Sequence, residues 1–433
     1  MSTPVSTTET QKHKGRGVQF VRTLLSLGSA HWVTSIGVVL TTASAVVFLL
    51  LLFQHFDNPY VGVVVFLTLP ALFVLGLLLM PLGLFLASRR AGGFRRILDR
   101  VPVEGARVSR LAWAFAFATV ANVGILTAAA YHGVGYMDSK EFCGVMCHSV
   151  MQPQYVRYQK SSHARVPCVD CHIGSGASSF VQYKLAGVRQ LFRLSTRTYH
   201  RPIAPAMDRM RPASETCEHC HSRGSQDDKL RVIRHYDNDE KSTEKTTILL
   251  VRAATKIHKA HLERDIEYVS SGPDPQEIPI VTLADKTYAL EGASISGPRH
   301  RMDCMDCHNR SGHDFETPES AVDRAIAAGK LDRSRPFARR DAIAALKNEA
   351  GLEGQPEAVR LLLSENVFPN MSVSWGTYPN NIGHEKFPGC FRCHDGQHVT
   401  KTGESIGQDC GTCHELVAVD EQNPKILKDL GLQ

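Results

Sequence analysis

Twelve cysteines in this chain form six close pairs, and a histidine follows the second cysteine of every pair. The pairs are Cys143-Gly-Val-Met-Cys147-His148, Cys168-Val-Asp-Cys171-His172, Cys217-Glu-His-Cys220-His221, Cys304-Met-Asp-Cys307-His308, Cys390-Phe-Arg-Cys393-His394 and Cys410-Gly-Thr-Cys413-His414. Five carry two residues between the cysteines and the first carries three. C-x-x-C-H is the attachment sequence for c-type haem. Two thiols on one turn can each form a thioether to a vinyl group, and the adjacent imidazole then swings under the iron as an axial ligand. Zinc is the main competing reading, because Cys and His are also its ligands. A four-ligand zinc site would group the pairs in twos, whereas here each pair has its own histidine. A disulfide-stapled secreted module would be far shorter than 433 residues. The cofactor expectation is therefore six covalently attached haems c.

Each iron needs a second axial ligand. Of the 20 histidines, six are proximal, and His13, His31, His55 and His219 are poorly placed. That leaves His132, His163, His200, His235, His258, His261, His300, His313, His384 and His398, more than six irons require. His163, His313, His384 and His398 lie within a few residues of attachment motifs and rank first. His258 and His261, three apart in Ile-His-Lys-Ala-His, can serve one haem, two, or none. Met151 and Met146 are the thioether candidates near the first motif, although methionine is more commonly a packing residue.

The net charge of +6 is concentrated in two short segments. Residues 1–31 hold Lys12, Lys14, Arg16 and Arg22 against Glu9, and residues 88–110 hold seven arginines against Asp99 and Glu104. Everything after residue 110 is close to neutral, so nucleic acid is a poor partner. The basic segments flank uncharged runs at Trp32–Phe53, Val61–Leu86 and Leu111–Tyr131. Each is long enough to cross about 30 Å of hydrocarbon as a helix. Positive charge stays on the cytoplasmic side. Residues 1–31 and 88–110 are then inside, and everything from about residue 132 onward is outside. The expected location is the inner membrane, multi-pass, with the haem region in the periplasm, where haem attachment takes place.

The expected fold is mainly α, with N-terminal transmembrane helices, a loop-rich multihaem region and a small β-containing insertion. The divisions are a cytoplasmic N-terminus over 1–31, a three-helix anchor over 32–137, haems one to three over 138–224, a β-rich insertion over 225–297 and haems four to six over 298–433. The runs LRVIRHY, TTILLVRA, IEYV and IPIVTL supply the strands. Short helices are expected after Thr317-Pro318, near Asp341–Ala350 and near Pro356–Leu363. Few apolar runs remain in the loop-rich parts, so large flat cofactors must supply their buried surface.

The run Glu141-Phe142-Cys143 through His148, then Met151, Tyr158, Ser162-His163 and Cys168-Val-Asp-Cys171-His172, resembles the opening of the NapC/NirT family of membrane-anchored multihaem cytochromes c. Cys304 through His308, with His313 five residues later, resembles that family's fourth haem motif. The runs Trp375-Gly-Thr-Tyr-Pro-Asn-Asn and Gly389-Cys390 through Gly396 are similar to inner-membrane cytochromes of metal-respiring bacteria. The resemblance implies quinol as substrate, taken from the membrane pool. It also implies a periplasmic cytochrome or reductase as acceptor, in anaerobic or extracellular respiration. Lys184 matches the lysine of the family's quinol site. Gln190 and Leu191 stand where a carboxylate usually follows, so His132, Tyr136 and Asp138 are the candidate proton acceptors. Two alternatives stay open: an electron relay with no quinol site of its own, and a terminal reductase with one open iron. Association with further copies of the chain is also left open.

Overall fold

The computed structural model describes residues 31–52, 68–93, 133–146, 148–174, 177–204, 210–221, 227–270, 275–293, 297–348 and 354–431, with isolated positions at 64, 122, 124, 127 and 131. These fall into two compact units, Met1–Met146 and Cys147–Gln433.

In the first unit, α1 (Trp32–Leu52) and α2 (Leu69–Ala91) pack as an antiparallel pair. Pro70 lies in the first turn of α2, where its missing N–H costs nothing. Arg89 and Arg90 occupy the last turn, where cations complement the helix dipole. Gly92 ends it at φ 77°, and the N–H of Gly93 donates to Ser88 O at 2.8 Å. The seam is built from small residues. A Cβ on Gly37 would lie 2.8 Å from Gly76 O and 2.9 Å from Met80 N, and one on Gly83 would run into Thr34. Small residues let the backbones of apolar helices approach closely. The hydroxyls of Thr41 and Ser44 turn back onto Gly37 O and Leu40 O, at 2.8 and 2.6 Å. Among the described residues α2 is the helix long and apolar enough to cross a membrane, with a mean hydropathy of 2.4, and α1 supplies a shorter apolar stretch, Trp32–Phe48. The third expected span, Leu111–Tyr131, lies almost wholly outside the described residues.

The second unit mixes helices, loops and two small antiparallel sheets. Helices α3 (His148–Tyr158) and α4 (Ala177–Ser195) precede the strands. One sheet has the order β1 (Lys229–Tyr236), β2 (Glu244–Val251), β7 (His414–Glu421). The other has the order β5 (Lys286–Ala289), β4 (Ile280–Leu283), β3 (Ile266–Val269), β6 (Arg299–Arg301). All four runs read as strands from the sequence lie in β1 to β4. Strand β7 was not among the expected strands; it carries the chain from the sixth motif back onto β2 with Val251 opposite His414.

Three helices, α5 (Pro318–Ala327), α6 (Ala338–Lys347) and α7 (Glu357–Asn366), share one apolar core with Tyr236 of β1. Thr317 caps α5 by accepting from Ser320 N, with Pro318 at the first position. A second core gathers Phe315, Phe368, Met371, Val373 and Tyr378 around Val150 and Val156 of α3. It draws residues 148–158 against residues 313–316. There the Arg157 guanidinium donates to Asp314 O at 2.6 Å and pairs with half-buried Glu316 at 3.2 Å.

Candidate functional site

Four attachment motifs begin on a local signal that favours a single turn. Pro167 precedes the turn Cys168–His172, and Pro388 precedes Gly389–Arg392. Asp303 caps Cys304–Cys307, accepting from Met305 N at 2.8 Å while Asp306 accepts from Asp303 N at 2.6 Å. Asp409 caps Cys410–Cys413 without a reciprocal partner, accepting from Gly411 N at 3.2 Å. The histidine N–H then closes onto the first cysteine's carbonyl: His221 to Cys217 at 2.8 Å, His308 to Cys304 at 2.9 Å and His394 to Cys390 at 3.0 Å. In the irregular first motif, residues Phe142–Met146 form a wider, π-type turn, which takes up the one extra residue. Cys147 lies outside the described residues, as do the side chains of Met146 and His148. Met151 is half-buried on α3.

Five of the six proximal histidines stand opposite a second histidine. The pairs are His172 with His313, His221 with His163, His308 with His258, His394 with His261 and His414 with His384. Their ring centres are 6.1, 6.0, 6.3, 5.9 and 6.1 Å apart. An imidazole–metal bond of about 2 Å on each side sets ring centres roughly 6 Å apart. The residues present therefore fit a metal held between two imidazoles, five times over.

Ring orientation agrees with that fit. His163, His261, His313 and His394 each place Nδ1 against a backbone carbonyl: Ser311, Ile257, Gln154 and Gly407, at 3.1, 2.8, 2.9 and 2.6 Å. A carbonyl can only accept, so Nδ1 carries the proton and Nε2 keeps its lone pair for a metal. Desolvation brings the pKa of His313 down to about 4, which keeps that ring neutral. Burial pushes the Cys307 and Cys393 thiols up to about 12, against the pull of Arg392.

One expected ligand is placed elsewhere. His398 is buried, with Nδ1 2.8 Å from Asp395 and Nε2 2.6 Å from Ile278 O, so both nitrogens are occupied in the core. Being four residues past His394 places it beside the fifth motif, but its ring faces the β4 side. His300 stacks on Tyr268 and His235 pairs with Asp420. Lys184 lies on α4, and its side chain is outside the described residues, as is His132. Asp138 sits in the turn after residues 133–137, its N–H donating to Val134 O at 3.0 Å.

Sequence reasoning missed a hub between motifs four and five. The Tyr268 hydroxyl donates to buried Asp306 at 2.5 Å, and burial with that neighbouring charge raises the tyrosine's pKa. Asn381 donates to Asp306 O at 3.0 Å, and Arg392 donates to the same carbonyl at 2.7 Å. The Tyr-Pro-Asn-Asn run was the one available signal. The Asn381 backbone N–H also donates to Asn309 Oδ1 at 2.9 Å.

The family model for the N-terminal region of NapC/NirT cytochromes c matches residues 107–248. Cytochrome c-type protein ImcH of Geobacter sulfurreducens is 33% identical over 422 residues, 85% of this chain and 83% of that protein. Cytochrome c-type protein NrfH of Wolinella succinogenes is 26% identical over 162 residues, 36% of this chain and 88% of that protein. No solved structure matches. Six C-x-x-C-H-like motifs, the paired imidazoles and these likenesses converge: the chain belongs to the NapC/NirT family of membrane-anchored c-type cytochromes, which carry covalently bound haem and transfer electrons.

Proposed function

We propose that this protein is a multi-pass inner-membrane cytochrome with six haems c, which oxidises quinol and delivers the electrons to a periplasmic cytochrome or reductase. The observation that carries the reading is the set of five histidine pairs at one common spacing. Bound haem supplies one-electron redox chemistry. The chain would tether it through Cys143/Cys147, Cys168/Cys171, Cys217/Cys220, Cys304/Cys307, Cys390/Cys393 and Cys410/Cys413, with the paired imidazoles available to hold it. His148 would hold the first haem, with Met151 as its candidate partner. Paired imidazoles at a haem would leave no open position for a substrate, which favours electron transfer over a terminal reductase.

Quinol oxidation releases two protons along with two electrons. Lys184 is assigned to hold the quinol hydroxyl. Asp138 and His132, where the chain emerges beyond the third apolar run, are assigned to pass protons outward. The K184A variant, reconstituted in liposomes, is expected to be reduced by a menaquinol analogue at least tenfold more slowly than wild type. Its reduction by dithionite should be unchanged. Normal reduction by quinol removes Lys184 from the site. A wild-type protein that quinol alone cannot reduce favours the relay without its own quinol site.

A further inference from the structure

Arg392 is the third residue of a C-x-x-C-H motif, a position that could be filled by any residue, yet it is buried. All three arms of its guanidinium donate to backbone carbonyls: Nε to Gly389 at 2.9 Å, NH1 to Pro275 at 2.5 Å and NH2 to Asp306 at 2.7 Å. Gly389 belongs to the turn of motif five, and Asp306 lies between the two cysteines of motif four. The third carbonyl, Pro275, belongs to the segment that leads into β4. A single side chain therefore joins two attachment turns 86 residues apart in sequence. The pairs belonging to these turns, His308 with His258 and His394 with His261, also take their second histidines from one short helical stretch.

Burying a guanidinium is costly, because it remains charged at any physiological pH. A neutral side chain could bridge loops more cheaply. No carboxylate among the described residues lies within ion-pair distance of it. The carboxylate of Asp306 feels the charge of Arg392, but its two oxygens are engaged by the Tyr268 hydroxyl and Asp303 N. The charge is thus held in a dry setting between two sites at which electrons arrive. Adding an electron to an iron site lowers its charge by one, with no ligand bond made or broken. A fixed neighbouring cation favours that change, and it does so more strongly where water is excluded.

Resting on the haem reading above, we propose that Arg392 is a positioning residue for two haem sites at once. Its charge raises the reduction potentials of the haems on Cys304/Cys307 and Cys390/Cys393, and its three N–H bonds keep the two turns in register. The test is an anaerobic spectropotentiometric titration of full-length, detergent-solubilised protein, with dithionite as reductant and ferricyanide as oxidant. Wild type, R392K and R392M are compared. In R392M two of the six components should shift to more negative potentials while the others stay in place. R392K keeps the charge and should titrate close to wild type. Its melting temperature should still fall, since one ammonium cannot reproduce a three-way fork. R392M titrating like wild type overturns the proposal, as does R392K shifting as far as R392M. If R392M does not accumulate with haem, R392Q serves as the neutral arm on the same criteria. Pyridine haemochrome quantification of the wild type separates the two levels: a wild type without haem sinks the cytochrome reading, whereas haem-loaded variants with unmoved potentials sink only the role of Arg392.

Discussion

Two histidines of equal promise in the sequence end in opposite roles. His313 and His398 each follow an attachment histidine by five and four residues. His313 turns its Nδ1 to Gln154 O and faces His172, whereas His398 spends both nitrogens on Asp395 and Ile278. Spacing along the chain fixed that both lie near a motif. Which way each ring points depends on which carbonyls surround it, and those come from residues more than a hundred positions away. H313A and H261A should therefore each convert one low-spin haem to a high-spin signature in electron paramagnetic resonance, with the other five unchanged. H398A should leave the haem spectrum intact and destabilise the fold by about 1–3 kcal/mol, the cost of leaving buried polar partners unsatisfied. A high-spin signal in H398A would return it to the ligand set.

Elements differ in how much of their placement the chain announces locally. Thr317 and Pro318 set the start of α5 through neighbours only, and that start was readable. The α1–α2 seam depends on facing residues. Gly83 meets Thr34 so closely that any Cβ there runs into backbone atoms, which cannot swing aside. G83L should separate the pair and reduce the amount of protein in the membrane severalfold, measured by haem-stained membrane fractions. G187A is the control, since a Cβ on Gly187 meets nothing within 4 Å, and it should accumulate normally. Membrane levels of G83L equal to wild type would show that the close seam is not needed for assembly. The π-type turn at Phe142–Met146 shows the same division. The extra residue was visible in the sequence, but the form that absorbs it was not.

Across the whole molecule, the histidine pairs interlock distant segments. The ring that faces His221 of motif three comes from His163, ahead of motif two, and the ring that faces His172 of motif two comes from His313, beyond motif four. His384, ahead of motif five, faces His414 of motif six, and β7 ties that motif to β2. Loss of one haem should therefore disturb more than its own site. The double variant C304S/C307S is expected to lose native low-spin character at motif four and also at the His172–His313 pair, because His313 follows motif four directly. Loss of a single haem's signal, with the other five native, would show that the sites mature independently. By itself the sequence determined the six cysteine–histidine motifs, the apolar runs with their flanking charge and the class of cofactor, because each depends on residues within a few positions of one another. The tertiary structure alone decided which histidine meets which, where His398 goes and what Arg392 holds. Those outcomes depend on contacts between segments far apart in the chain, and spacing along a sequence carries no information about the direction in which a distant side chain arrives.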